Sequence, residues 1–210
     1  MAEFESSQVM QKVIKFLSCL LQRAAETNDV VFRGLNTQKI SIFHGLTRPT
    51  ISVQCYLERI FKYANCSPSC FIVAYIYLDR FAMKQPFLPI NSYNVHRLLI
   101  ASVLVSAKFM DDIFYNNAYY AKVGGINTME MNLLEMDFLF GLGFELNVSP
   151  STFHTYCCYL QREMMLQFPP LDTPPRVTSP ENINYNKIHN YYGINNNEDA
   201  GSTHPRQLAV

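Results

Sequence analysis

The segment from Val95 to Phe109 constrains the fold of this 210-residue chain more than any other feature. At helical spacing it is apolar on nearly every side, and such a helix belongs in the middle of a bundle. Small residues keep it thin, so neighbouring helices can approach it closely: Ala101, Ser102, Ser106 and Ala107. The sequence therefore predicts an all-α protein built around this segment.

Start signals divide the chain around this segment into further helices. Thr47-Arg-Pro and Ser67-Pro68 resemble an N-cap followed by proline, and Asn127 with Glu130 resembles a capping box. Asn91 or Ser92 can cap the central helix. These signals predict five helices, at about residues 47–64, 67–81, 91–110, 116–123 and 127–142.

Both ends of the chain lie outside this central part. Apolar residues recur at helical spacing from Val9 to Ala24, which predicts an N-terminal helix, followed by a polar loop over 26–46. Ser149-Pro150 starts a C-terminal helix that runs to about Phe168. Residues 169–210 are rich in proline and asparagine, which predicts a disordered tail.

Composition and charge exclude several classes of function. Lys plus Arg number 17, as do Asp plus Glu, so no net positive charge attracts nucleic acid or an anionic membrane. No apolar run of about 18 residues occurs, and the acidic N-terminus lacks the pattern of a secretory signal. The chain is therefore expected in the nucleus or cytoplasm, with its six cysteines as free thiols.

Two clusters of reactive residues have ordinary explanations. Cys66 and Cys70 could bind a metal ion only with two further ligands, and none stands at a suitable spacing. His154, Cys157 and Cys158 could suggest a nucleophile with its base, but all three lie along one predicted helix and are expected to pack there. We therefore expect no enzyme, metal, cofactor or small-molecule substrate.

Several separated motifs are similar to those of the cyclins and follow the same order. Three resemble the cyclin box: Tyr77-Leu-Asp-Arg-Phe81, Ser106-Ala-Lys-Phe-Met-Asp-Asp112 and Leu133-Leu-Glu-Met-Asp-Phe-Leu139. Four segments match the plant P-type (or U-type) cyclins more closely: Arg48-Pro-Thr-Ile-Ser-Val53, Leu78-Asp-Arg-Phe81 within the first motif, Asn94-Val-His-Arg-Leu-Leu99 and Ala121-Lys-Val-Gly-Gly-Ile126. That type resembles the yeast phosphate-response cyclin.

The resemblance implies a single cyclin fold, in which five helices surround a buried third helix. Residues 1–46 would then form an N-terminal helix and loop, and 47–146 the cyclin box. A C-terminal helix over 147–168 would pack on the box, before the tail over 169–210.

The resemblance also implies a set of site residues. In cyclins, a lysine ending the third helix of the box and a glutamate in the fifth hydrogen-bond backbone groups of a kinase near its regulatory αC helix. Lys108 and Glu135 match those positions. The apolar contacts that surround them in the family match Val105, Phe109, Leu139, Phe144 and Leu146. Arg48 and Asp79 match a structural pair that ties the first two helices of the box together.

One segment departs from the family pattern, and another has two interpretations. Many cell-cycle cyclins dock substrates through Met-Arg-Ala-Ile-Leu in the first helix, whereas this chain reads Thr47-Arg-Pro-Thr-Ile51, so docking by that route is not expected. The aromatic segment Ile113–Tyr120 is consistent with either a binding surface or half-buried packing.

The function implied is that of a regulatory subunit, which binds and activates a cyclin-dependent kinase with a PSTAIRE-type αC helix, in cell division or phosphate signalling. The alternative is a cyclin-fold adaptor that binds a protein without activating any kinase. A third hypothesis is an enzyme that uses His154, Cys157 and Cys158.

Overall fold

The computed structural model describes residues 2–31 and 41–167, with side chains from Gln8 onward. These residues form seven helices and no strand. The helices are α1 (Ala2–Val31), α2 (Val53–Tyr63), α3 (Pro68–Lys84), α4 (Val95–Met110), α5 (Asn117–Gly124), α6 (Thr128–Leu142) and α7 (Pro150–Gln167). The all-α prediction is confirmed, and the predicted tail lies outside the described residues.

Helix α4 is the centre of the bundle, as its apolar sequence predicts. It packs against α2, α3, α5 and α6, and every residue from Leu98 to Ala107 is buried. The hydroxyls of Ser102 and Ser106 donate hydrogen bonds to carbonyls one turn earlier, at 2.8 and 2.9 Å. Buried polar groups are tolerated when they are hydrogen-bonded in this way. The serines therefore keep α4 thin without leaving an unsatisfied hydroxyl.

Helix α6 begins where its sequence signal predicts, but its capping is only half a capping box. The Asn127 side chain accepts a hydrogen bond from the Glu130 amide at 2.8 Å. The Glu130 carboxylate pairs with Arg97 on α4 at 2.6 Å instead of returning to Asn127. Its side chain therefore joins two helices and contributes to tertiary structure.

Helix α2 begins later than predicted, and the start signal at Thr47 is wrong. The N-cap is Ser52, whose hydroxyl accepts from the Cys55 amide at 3.1 Å. The residues before it stay outside the helix, where the Ile51 carbonyl lies 2.9 Å from His96 Nε2 on α4. This tertiary contact fixes a non-helical backbone that the local proline signal could not reveal.

Helix α1 extends to Val31, beyond the predicted end at Ala24. Near its C-terminus, Asn28 donates to the Ile90 carbonyl at 2.8 Å and Asp29 accepts from the Ser92 amide at 3.0 Å. Partners more than sixty residues away thus stabilise a polar helix end that was predicted as loop. Helix α1 packs against α2, α3 and α7, and α7 packs against α3.

Three aromatic rings bring α3 and α6 together beneath the candidate site. Phe81 and Phe138 stack at 5.1 Å between ring centroids. Phe43, from the chain segment before α2, contacts both rings edge-on. Gly141 permits this approach, because a Cβ atom there would lie 2.2 Å from Phe81 Cε2. The close contact fixes the end of α6 against α3.

Candidate functional site

An ion pair between α4 and α6 forms the polar centre of the candidate site. Lys108 Nζ lies 2.7 Å from Glu135 Oε1, and the two side chains are 29% and 17% exposed. Lys108 stands in the last turn of α4, where a cation complements the helix dipole. The structure therefore brings together the two predicted polar residues and leaves both within reach of a partner.

Asn117 on α5 completes this polar centre and was not identified from the sequence. Its Nδ2 donates to Glu135 Oε2 and to Asn132 Oδ1, both at 2.7 Å. Both carboxylate oxygens of Glu135 thus have a donor in the free chain, and charge-assisted hydrogen bonds of this kind fix a side chain. Only the polar start of α5 is visible in the sequence, and nothing local to Asn117 points to Glu135.

Four of the predicted apolar residues remain accessible around the ion pair. Phe109 and Phe144 are exposed, whereas Leu139 and Leu146 are half-buried. With Lys108 and Glu135 they form what we call the Lys108 surface. It joins the last turn of α4 to the second half of α6 and the residues that follow α6.

The fifth apolar residue, Val105, does not belong to this surface. It is only 2% exposed, because α4 is still enclosed by its neighbours one turn before Lys108. In the isolated chain Val105 packs in the core beneath the surface, and its contact with a partner stays a prediction.

Helix α6 carries a second apolar face that was also missed. The inner face of α6 is fully buried and consists of Met131, Leu134, Phe138 and Leu142. An outer face at four-, three- and four-residue spacing is exposed and consists of Met129, Leu133, Met136 and Phe140. Because apolar residues occupy opposite sides of the helix, the sequence shows no one-sided periodicity. Counting two separate stripes would have found the outer face.

The end of α6 presents two aromatic side chains together. Gly143 and Phe144 have φ angles of +61° and +58°, and the Phe144 amide donates to the Leu139 carbonyl at 3.0 Å. This is a Schellman ending, and a bulky residue at positive φ is uncommon. Phe144 meets Phe140 edge-on at 5.2 Å, with 58% and 65% of the two residues exposed. The outer face of α6 is thus continuous with the Lys108 surface.

The two halves of the aromatic segment Ile113–Tyr120 differ in exposure, so each half fits one of the two interpretations. Ile113, Phe114 and Tyr115 are exposed just after α4. Tyr120 is fully buried and donates to the Ala64 carbonyl at 3.2 Å. The first half extends the exposed apolar area, and the second half anchors α5 on the bundle.

Arg48 and Asp79 have different neighbours in the structure. Arg48 is exposed ahead of α2 and lines a groove with α1 residues such as Ser18 and Arg23. Asp79 on α3 accepts a hydrogen bond from the Tyr156 hydroxyl on α7. A pair between Arg48 and Asp79 stays a prediction.

The histidine and the two cysteines of α7 lie along one helix, and Cys158 is within hydrogen-bond distance of His154. Cys158 Sγ lies 3.7 Å from His154 Nδ1 on the exposed side of the helix. Burial raises the pKa of the Cys157 thiol, whereas a reactive cysteine needs a lowered pKa. Within residues 2–31 and 41–167, no group of three side chains is placed to hold a metal ion. None of the described helices has the length and apolar character that crossing a membrane requires.

Comparison with known proteins gives consistent matches. The model of the cyclin family matches residues 7–146, which are 140 of the 210 residues. The chain is 69% identical to Cyclin-U4-1 of Arabidopsis thaliana over 80% of its own length and 84% of that protein. It is 55% identical to Cyclin-P4-1 of Oryza sativa subsp. japonica, over 84% of this chain and 83% of that protein. The matched residues include most of α1 as well as α2–α6.

Proposed function

The chain belongs to the cyclin family, and we propose that it binds and activates a cyclin-dependent kinase of the PSTAIRE type through the Lys108 surface. Cyclins are regulatory subunits, and the family implies a cyclin-dependent kinase as partner. The observation that carries the proposal is a half-buried ion pair, Lys108–Glu135, set among exposed phenylalanine and methionine side chains.

The exposed apolar residues favour docking of a helix. A contiguous apolar patch rimmed by polar residues marks an interaction site, and an amphipathic helix can lay its apolar side against such a patch. The regulatory αC helix of a kinase meets this description. Phe109, Phe144 and Phe140 would supply the aromatic anchors that commonly dominate binding energy.

Activation would follow from where the αC helix is held. Kinase catalysis requires an ion pair between a strand lysine and a glutamate of αC. A cyclin that binds only the inward position of αC shifts the existing equilibrium toward the active state. The cyclin would supply no catalytic group itself.

Lys108 and Glu135 would fix the register of this docking. Because each already has a partner, their atoms are held in place before the kinase arrives. In the complex each would also hydrogen-bond a backbone group of the kinase, and truncation of a buried, hydrogen-bonded charge in an interface costs about 2–5 kcal/mol.

The test is a kinase assay with the full chain. We expect the unmodified chain to stimulate a PSTAIRE-type kinase, and the Lys108→Ala/Glu135→Ala variant to lose at least about tenfold of that activity. Glu58→Ala/Lys62→Ala is the matched control, because it removes one charge of each sign from the exposed side of α2. A folded Lys108→Ala/Glu135→Ala variant that still activates would contradict the proposal. Binding without activation by the unmodified chain would support the adaptor.

We further propose that the protein acts in the nucleus or cytoplasm, in cell division or phosphate signalling. The similarity to both U-type and P-type plant cyclins supports this role. Plants that lack the protein should then show altered division rates or an altered response to phosphate limitation, and unchanged behaviour in both would contradict it.

A further inference from the structure

We propose that a polar row on α3 positions the aromatic end of the Lys108 surface for the kinase, an inference that rests on the proposed function. The row consists of Tyr77, Arg80, Lys84 and Gln85. Tyr77, Arg80 and Lys84 share one side of α3, and Gln85 is the C-cap residue that follows the helix. All four donate hydrogen bonds to backbone carbonyls in the chain segment 141–147, which contains Phe144 and Leu146.

The segment takes most of its carbonyl partners from these donors, although its own backbone amides also donate to the Leu142 and Phe144 carbonyls. The last carbonyls of a helix lack intrahelical partners, and here Gln85 and Lys84 donate to Gly141 and Leu142 at 3.2 and 2.9 Å. Tyr77 donates to the Leu146 carbonyl at 2.7 Å. Burial raises the pKa of Tyr77 to about 12, so its hydroxyl stays protonated as a donor.

Arg80 is the centre of the row. Its Nη1 donates to the carbonyls of Glu145 and Asn147, at 2.9 Å each, and so spans the turn that presents Leu146. Lys84 adds an ion pair with Glu145 at 2.7 Å, and this hydrogen bond holds the pKa of the Glu145 carboxyl below its usual range. The backbone on either side of Phe144 is thereby tied to a rigid helix.

Phe144 needs this support because its backbone is strained. A non-glycine residue at positive φ persists only where its surroundings fix it, and such strain collects at functional sites. The row fixes the segment through its backbone and leaves the Phe144 ring exposed. A kinase would therefore meet an ordered surface and lose less conformational entropy on binding.

The test compares Arg80→Ala with Phe144→Ala in the full chain. We expect Arg80→Ala to weaken binding of a PSTAIRE-type kinase by about tenfold, and Arg80→Lys to restore little, because a single ammonium does not reproduce the guanidinium geometry. Since Arg80 acts through Phe144, Arg80→Ala should cost much less in a Phe144→Ala background. Lys62→Ala, which removes an exposed cation from the last turn of α2, should leave affinity unchanged.

Amide hydrogen exchange separates positioning from a general structural role. In Arg80→Ala, exchange should accelerate over residues 143–148 and stay unchanged over Leu98–Ala107. Acceleration throughout the bundle, or additive losses in the double variant, would overturn the inference. Failure of the unmodified chain to bind the kinase would overturn the proposed function itself. Normal binding by Arg80→Ala would overturn only the positioning role.

Discussion

The two faces of α6 have similar residues and opposite surroundings. The inner face presents methionine, leucine and phenylalanine side chains to α3 and α4, and all of them are fully buried. The outer face presents the same three residue types, and all of them are exposed. Because the residue types are the same on both faces, the arrangement of the neighbouring helices decides which face is buried within the chain and which stays available to a partner.

The two faces are therefore expected to contribute to different free energies, the inner face to that of folding and the outer face to that of binding. Burial of the inner face contributes to folding, at roughly 25 cal/mol per Å² of apolar area. The outer-face residues stay 49–75% exposed, so they gain less from folding and remain available to a partner outside the chain. Substitutions on the two faces should therefore separate stability from binding.

The largest effect is expected from Phe138→Ala on the inner face. Phe138 is fully buried and stacks on Phe81, so its removal should lower the free energy of unfolding by about 3–5 kcal/mol. Urea denaturation followed by circular dichroism measures this loss. A change below about 1 kcal/mol would mean that the inner face is not part of the core.

Gly141→Ala should destabilise the same side of α6 by overpacking. The new methyl group would meet the Phe81 ring, which is itself buried and cannot move aside, at an expected cost of about 1–3 kcal/mol. Alanine is otherwise the better helix former, so an increase in melting temperature would show that the ring can move. Phe81→Leu combined with Gly141→Ala should recover part of the loss if the clash is the cause.

Phe140→Ala on the outer face should reverse the pattern. We expect the free energy of unfolding to change by about 0.5 kcal/mol or less, because the residue is mostly exposed. Kinase affinity should fall by about 1–2 kcal/mol, as for an interface anchor. Calorimetric titration with the kinase and thermal unfolding of the same sample measure both quantities. Equal losses in both would show that the two faces do not differ in role.

The smallest effect should come from a change of pH, and it should alter the stability of the fold alone. Burial lowers the pKa of His44 and of His96 from the ordinary value of 6.5. The unfolded chain therefore binds more protons below that value, so stability present above pH 6.5 is lost as the pH falls below it. The melting temperature should decline between pH 7 and pH 5, and less so in His96→Gln. A flat profile would contradict this.

Local signals in the sequence predicted those features of the fold that are determined by residues close together along the chain. The apolar run of α4 predicted the central helix, and Asn127 predicted the start of α6, because both effects are contained within a few residues. The resemblance to cyclins predicted that Lys108 and Glu135 belong to one site, and the structure places them 2.7 Å apart.

Features that depend on distant contacts were missed. Asn117 and the length of α1 depend on partners 15 to 63 residues away. The exposure of Phe140 and the burial of Val105 depend on where neighbouring helices stop, which apolar identity does not encode. The start of α2 was predicted too early because Ser52, and not Thr47, caps the helix.

The outer face of α6 also has a consequence for the lifetime of the uncomplexed protein. An unoccupied row of methionine, leucine and phenylalanine is a liability for aggregation and a target for chaperones and proteases. A kinase that covers it would shield it, so the abundance of this cyclin in the cell is expected to follow the supply of its partner. The amount of kinase available for binding would then limit the amount of this cyclin that survives in the cell.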